Sequence, residues 1–540
     1  MRHEASEKTE ALRRAITFDP ARVRAFTEAG AWSHQTVGAW LEERAATAPR
    51  SPVMIAGERT IAYGEALESA RRIAGGLLSL GLRKRDVLAV QLPNTPEYLL
   101  TYFAAALIGI VMAPIHAVYD PREIEPLLRH GRADAVVVAG AESARGVAAV
   151  AHRLPQLKHI IALGTPPRGA LAWEELTRGG APEDTALPAA VDPLHMAFTS
   201  GTAASPKAVL VNHHTALGTI IPSTPLLGLR ADDIIVSLPA FSHMFGMAVL
   251  HLALHCGGAL LLLPQFRPDI FVETLCRKRA TFLFAAPAHL AACLKAGLFE
   301  GRDLSSLRAA YLGGAVCPPE LAGALEKLLP NGTVNQIYGM TEAMLISFTL
   351  PGDPQQVRFH TVGRVVPGQE VRVVSQDGTP LSPGEEGEIQ VRGSGVLASY
   401  IDNPDATGAA FAEDRWLRTG DLGRLDHAGN VAISGRLKDI INRGGVKINP
   451  ADIEMLINAH PSVEVAALLG VPDEVLGERI CCFVQLKPGG SLTLDELCAW
   501  LGEQGLAKRK WPERLEIVER MPLTPTRKVI KGRLRQEGAR

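Results

Sequence analysis

An excess of charge of either sign is missing from this sequence: 56 Lys and Arg stand against 57 Asp and Glu, a formal net charge of -1. Without a global field, neither nucleic acid nor an anionic membrane is favoured, and partners must be selected locally. Cysteine is sparse and unpatterned. The seven residues at 256, 276, 293, 317, 481, 482 and 498 form no Cys-x-x-Cys pair and no interleaved His spacing. That excludes a disulfide framework and a zinc site and points to reduced thiols in a cytoplasm. The start, Met1-Arg2-His3-Glu4-Ala5, is charged and lacks the apolar core of a signal peptide. Long hydrophobic runs are also lacking. Leu99 to Ile115 comes nearest, but Thr101, Tyr102 and Pro114 interrupt it and it falls short of the roughly 20 apolar residues of a membrane span. A buried helix followed by a strand is expected there. Internal repeats, coiled-coil heptads and low-complexity tracts are absent.

What is present is enough chain for several structural units: 540 residues, 47% of them hydrophobic. From Thr60 to Val138, helical segments (Tyr63 to Leu80, Pro96 to Leu107) alternate with β-rich runs (Val87 to Leu92, Ala135 to Val138), the pattern of an α/β sheet with helices on its faces. The alternation resumes between Ile234 and Ala315, with strands at Ile234 to Leu238, Ala259 to Leu263 and Thr281 to Phe284, and a helix over Phe266 to Arg279. After Gly363 the texture changes to strands punctuated by Gly and Pro, at Glu370 to Val374, Gly387 to Arg392 and Asn430 to Ser434, which predicts a β-rich subdomain. A last block reads helix Pro450 to Ala459, strand Val463 to Val471, strand Arg479 to Lys487, helix Thr493 to Leu501, long enough for a small α/β domain of its own. The expected division is 1–436 and 437–540.

The densest chemical signal is Thr199-Ser200-Gly201-Thr202-Ala203-Ala204-Ser205-Pro206-Lys207. Small side chains let backbone amides approach an anion, hydroxyls add donors, and Lys207 adds a charge that needs no fixed geometry, so the segment reads as a phosphate loop. It is not a Walker A loop, which would need glycine in place of Pro206 and a hydroxyl in place of Ala208. Downstream, in order, stand Tyr338-Gly339-Met340-Thr341-Glu342, Arg418-Thr419-Gly420-Asp421, Gly435-Arg436-Leu437-Lys438-Asp439 running into Arg443-Gly444-Gly445-Val446-Lys447, and Pro522-Leu523-Thr524-Pro525-Thr526-Arg527-Lys528-Val529.

Five motifs in this order resemble the adenylate-forming superfamily of acyl-CoA synthetases, aryl-acid ligases, peptide-synthetase adenylation domains and luciferases, over roughly residues 35 to 535. The resemblance implies a large multi-subdomain N-terminal α/β domain (two α/β sheets plus a β-rich subdomain), a small mobile α/β C-terminal domain and a hinge near Lys438. It implies ATP, Mg²⁺ and coenzyme A as co-reactants and a small-molecule carboxylic acid as substrate. Thr199, Ser200, Gly201, Thr202 and Lys207 would hold the pyrophosphate portion of ATP. Thr341 would contact the α-phosphate and Glu342 would ligate Mg²⁺, while Tyr338, Gly339, Gly313, Gly314 and Ala315 would border the nucleotide. Asp421 would accept the ribose hydroxyls with Arg436 beside it. Lys528 would bridge carboxylate and α-phosphate during adenylation, and Gly444, Gly445 and Lys447 would border the CoA path.

His243, within Pro239 to Gly246, resembles the family's pocket histidine, which could gate the acyl pocket or touch the carboxylate, although a core histidine fits the sequence as well. Around it Phe241, Met244, Phe245 and Met247 suggest an apolar acyl group, aromatic, alicyclic or medium-chain. Ser242 stands where peptide-synthetase domains carry an Asp for the α-ammonium, which disfavours an amino acid. Met244 stands where catechol- and salicylate-type ligases carry Asn. Ala203, Ala204 and Ala208 replace a hydroxyl and two glycines of the family loop and predict weakened ATP binding if the first glycine needs positive φ. Arg527 replaces the glycine before the catalytic lysine. Coenzyme A is the expected acceptor. A free-standing carrier protein, a homodimer and a non-catalytic nucleotide-binding regulator stay open, with a luciferase-like oxygenase as a minor reading.

Overall fold

The computed structural model describes residues 2–182, 188–199, 206–473, 475–523 and 529–538. The chain divides into two compact units, residues 1–370 with 391–417, and residues 371–390 with 418–540. The fold is mixed α/β, as the alternation predicts.

Two sheets build the first unit. One runs Leu171–Ala172, His159–Ala162, Ala135–Val138, Val87–Gln91, Val111–Pro114, Pro193–Thr199, Lys207–Asn212 across its width. It is parallel except at its last pair, where Thr199 lies opposite Lys207. The other runs Arg364–Val365, Met344–Phe348, Thr333–Met340, Ala309–Gly313, Phe282–Ala285, Ile234–Ser237, Ala259–Leu262, Pro52–Ala56, Arg59–Ala62, parallel in its centre and antiparallel at both edges. Central strands such as Ala135–Val138 and Phe282–Ala285 are buried throughout, which is why they read as unbroken apolar runs rather than alternating ones.

The segment from Leu99 to Ile115 is the predicted helix and strand. Pro96 opens a helix over Pro96–Ile108, Gly109 at φ 71° closes it, and Val111–Pro114 follows as a fully buried strand. Among the described residues no helix is long and apolar enough to cross a membrane.

The second unit holds most of a four-stranded sheet, ordered Gln369–Val374, Gly387–Gly393, Leu417–Leu425, Val431–Arg436, the β-rich texture expected after Gly363. It also holds a sheet ordered Val446–Ile448, Ile441–Arg443, Gly477–Leu486, Val463–Asp473, with Arg514–Ile517 pairing parallel to Gly477–Leu486. Helices Pro450–Asn458 and Leu494–Glu503 supply apolar side chains to one core, including Ile453, Ile457, Leu497 and Leu501 against Leu468 and Ile480. Thr493 and Glu496 close a capping box at the start of the latter helix. Lys438 lies in a short 3-10 turn, Leu437–Asp439, inside this unit.

Candidate active site

The loop of small residues is bracketed by an antiparallel strand pair. Thr199 ends one strand and Lys207 begins the next, directly opposite each other across the antiparallel pair. Ser200, Gly201, Thr202, Ala203 and Ala204 lie outside the described residues. Ala208 is described. It is fully buried inside the returning strand opposite Phe198, and it is not among the residues with positive φ. No glycine is needed there, so of the three alanines this one imposes no backbone strain on the loop.

Thr341 and Glu342 sit in the turn between strands Thr333–Met340 and Met344–Phe348. The turn is tight enough that Met344 takes φ 56°, a conformation uncommon for a non-glycine residue. Gly339 is required beside it, because a Cβ there would meet the Met344 carbonyl at 2.3 Å. Gln369 braces the strained residue from both sides: its Nε2 donates to the carbonyl of Ala343 at 2.7 Å and to that of Leu345 at 3.0 Å. Glu342 is held by a second segment. Leu397 N–H donates to the Glu342 carbonyl at 2.9 Å, and the Tyr400 hydroxyl donates to Glu342 Oε1 at 2.9 Å. Lys207 Nζ lies 4.9 Å from the centre of the Tyr400 ring. Lys207, Glu342 and Tyr400 therefore form one polar group in the first unit.

Among the described residues no three His, Cys, Asp or Glu side chains gather into a metal cage. Mg²⁺ carried in on a triphosphate keeps waters and takes only one or two protein carboxylates, so a single carboxylate is a sufficient donor set for it. Glu342 fits that requirement.

His243 caps the helix Met244–Cys256. Its Nδ1 accepts the backbone N–H of Phe245 at 3.2 Å, so in the neutral ring the proton stands on Nε2, which can donate. It is half-buried, unlike a core histidine. The loop before it is fixed by residues that carried no motif. Asn94 accepts from Phe241 N–H at 2.8 Å and donates to the Pro239 carbonyl at 3.2 Å, and Tyr98 donates to the Phe241 carbonyl at 2.8 Å. His116 Nδ1 pairs with Ser242 Oγ at 2.7 Å, and burial pushes the His116 pKa down to about 4, so this neighbour of Ser242 is neutral at pH 7. Phe241, Met244 and Met247 are buried, whereas Phe245 is half-buried and faces Gly313. Gly313 ends its strand against Ile337 of the next one; Gly314 and Ala315 beyond it are exposed, Gly314 at φ 80°. Tyr338 is half-buried one residue past Ile337.

In the second unit, Asp421 lies within a strand rather than in a turn, 4% exposed, and pairs with Arg436 directly across the antiparallel register, with Arg436 Nε 2.9 Å from its Oδ1. Gly444 and Gly445, at φ 55° and 83°, make the turn between Ile441–Arg443 and Val446–Ile448, and Lys447 is exposed on the second of those strands. Lys528 lies outside the described residues.

The sequence matches the family described as AMP-binding enzyme over residues 41–401 and the AMP-binding enzyme C-terminal domain over residues 452–528. It is 30% identical to a mitochondrial medium-chain acyl-CoA ligase of Rattus norvegicus, across 93% of this chain and 88% of the relative. It is 32% identical to the salicyl-AMP ligase / salicyl-S-ArCP synthetase of Mycobacterium tuberculosis, across 96% of this chain and 93% of the relative. Among solved structures, the anthranilate CoA ligase in complex with anthranoyl-AMP superposes with a TM-score of 0.84 at 25% identity, covering 93% of this chain and 97% of that one.

Proposed function

This chain belongs to the AMP-binding enzyme family, and from that premise we propose that it activates a carboxylic acid with ATP and transfers the acyl group to the thiol of coenzyme A. In the first half-reaction a carboxylate oxygen attacks the α-phosphorus, the bond to the bridging oxygen of the β-phosphate breaks, and pyrophosphate leaves. In the second the thiolate attacks the acyl carbon, AMP leaves, and the thiol proton passes to solvent. Charge accumulates on phosphoryl oxygens in the first step, so catalysis there is positioning plus fixed cations.

The observation that carries this reading is the grouping of Lys207, Glu342 and Tyr400, with Lys207 opposite the strand end at Thr199 and Glu342 in the turn after Met340. We assign the pyrophosphate portion to the loop from Thr199 to Lys207, the α-phosphate to Thr341, the ribose hydroxyls to Asp421 with Arg436, and the bridging cation of adenylation to Lys528. Glu342 would hold Mg²⁺, which when bound offsets phosphate charge. Residues 437–540 would act as the mobile domain hinged near Lys438, with Gly444, Gly445 and Lys447 along the CoA path.

For the acid we favour an aromatic, alicyclic or medium-chain group. Phe245 faces Gly313, Phe241, Met244 and Met247 are buried, and the partner fixed on Ser242 is His116, a neutral imidazole rather than a carboxylate that could pair with an α-ammonium. Loading of a separate carrier protein is the second reading, favoured by the likeness to a salicyl-S-ArCP synthetase. AMP release from a panel of acids, with coenzyme A and with a phosphopantetheinylated carrier protein as alternative acceptors, tests both. Thioester on coenzyme A supports the proposal; thioester on the carrier alone replaces it with the second reading; no AMP from any acid overturns it.

A further inference from the structure

We propose, resting on the nucleotide reading above, that Tyr400 is the positioning residue of the adenylation site, its hydroxyl orienting the metal-directed carboxylate of Glu342 while its ring carries the ammonium of Lys207. Both contacts converge on one buried side chain. Tyr400 is 7% exposed and Glu342 9% exposed, and the hydroxyl donates to Glu342 Oε1 at 2.9 Å. A carboxylate offers about four lone-pair sites, so the Tyr400 bond to Oε1 takes up only part of its accepting capacity while anchoring the group. The ring lies 4.9 Å from Lys207 Nζ, within cation–π range, and this holds a flexible four-carbon chain at the start of its strand.

The backbone makes the arrangement specific. Tyr400 bridges antiparallel to Val209, Ile401 N–H donates to the Ala208 carbonyl at 3.0 Å, and Leu397 N–H donates to the Glu342 carbonyl at 2.9 Å. The segment 397–401 is thus stitched to the lysine-bearing strand at one end and to the glutamate-bearing turn at the other. Tyr400 is the residue whose side chain reaches both. Two groups 135 positions apart in sequence, 207 and 342, are set at a fixed spacing by a third that belongs to neither motif.

The test compares Tyr400→Phe with Tyr400→Leu. Phenylalanine keeps the ring under Lys207 and deletes the hydroxyl; leucine deletes both. Binding of Mn²⁺ in the presence of ATP, followed by the electron paramagnetic resonance of the free ion, should weaken roughly tenfold in Tyr400→Phe, the scale of one hydrogen bond to a charged group. ATP affinity without metal should change little. Tyr400→Leu should show the same metal defect and, in addition, a several-fold weaker ATP affinity without metal. A merely structural role would lower the unfolding midpoint of Tyr400→Phe without moving the metal titration. In the Glu342→Gln background, Tyr400→Phe should have no further effect on Mn²⁺ binding, because the tyrosine acts through that carboxylate. Wild-type metal binding in Tyr400→Phe, or an undiminished effect of it in Glu342→Gln, overturns the proposal while the nucleotide reading stands. Absence of ATP-dependent Mn²⁺ binding in the unaltered protein overturns both.

Discussion

Gly313 and Phe245 are in contact distance across the end of a strand: a methyl group on Gly313 would stand 3.3 Å from Phe245 Cε1, and 2.6 Å and 2.7 Å from the carbonyl oxygen and Cγ2 of Ile337. The aromatic ring can turn away, but the carbonyl belongs to the paired strand and cannot yield without breaking register. Gly313→Ala should therefore destabilise the protein by about 1–3 kcal/mol, the usual cost of overpacking. It should also cut kcat/KM for a bulky aromatic acid more than for a short one. Urea unfolding and a two-acid comparison check this; an unchanged midpoint would show that the strand end accommodates the methyl.

Stability should fall on mild acidification. His195 and His213 are buried almost completely, and desolvation pushes both pKa values down to about 3 from 6.5. His195 faces His251 and Met244, and His251 in turn pairs with the Tyr102 hydroxyl at 2.7 Å; His213 feels Asp192, Lys84 and His214. Of these only Asp192 favours protonation of His213, and burial outweighs it. Above pH 6.5 both imidazoles are neutral in folded and unfolded chains and their penalty is absent. As pH falls from 6.5 toward 3 only the unfolded chain gains the protons, so each costs about 1.4 kcal/mol by pH 5.5. The urea midpoint at pH 5.5 should lie below that at pH 7.5, and His195→Gln should flatten the difference. A midpoint independent of pH would mean that protons enter the folded core freely.

Ala208→Gly should not restore phosphate affinity. The residue is fully buried in a regular strand, so glycine there removes packing and adds backbone freedom to the unfolded chain, costing roughly 0.5–1 kcal/mol. Ala204→Gly, in the loop itself, should leave ATP affinity equal or improve it. The Michaelis constants for ATP of the two variants separate these positions; a lower constant in Ala208→Gly would show that strand geometry at 208 does limit the loop.

The contrast between those two alanines also marks what the sequence makes legible. Apolar period and punctuation locate the helix Pro96–Ile108, the strand Ala135–Val138 and the β-rich region after Gly363 to within a residue or two, because burial sets those patterns directly. Short motifs single out Lys207 and Glu342, which the structure brings together on Tyr400. Tyr400, Gln369, Asn94 and His116 are illegible because they act by tertiary contact: Tyr400 reaches Glu342 across 58 positions and Asn94 reaches Phe241 across 147, with no local period or spacing that either contact imposes. Ala208, a loop position by motif, lies in a strand for the same reason. Its environment is set by pairing with Phe198, not by its neighbours in the motif.

The two half-reactions should separate genetically. Lys528 itself lies outside the described residues, but its flanks are well anchored: Leu523 bridges Val529, Ile530 N–H donates to the Pro522 carbonyl at 2.8 Å, and Lys531 pairs with Glu454 at 2.7 Å. Lys528→Ala should therefore leave the fold intact and abolish adenylate formation, while a supplied acyl-adenylate is still transferred to coenzyme A. For the second half-reaction the turn at Gly444 and Gly445 is the target, and its geometry decides which substitution is informative. A Cβ on Gly445 meets nothing within 4 Å, yet φ is 83°, so a leucine there would strain the turn whatever space it has. Asparagine tolerates left-handed backbone, so Gly445→Asn places a side chain in the proposed CoA path at little conformational cost. It should keep pyrophosphate exchange and lose thioester formation by about tenfold or more, whereas Gly445→Leu should add a loss of stability. Pyrophosphate exchange measured beside thioester yield from synthetic adenylate reads both; equal loss of both half-reactions in folded Lys528→Ala and Gly445→Asn would mean that one fixed arrangement serves both chemistries and that the hinge near Lys438 plays no part.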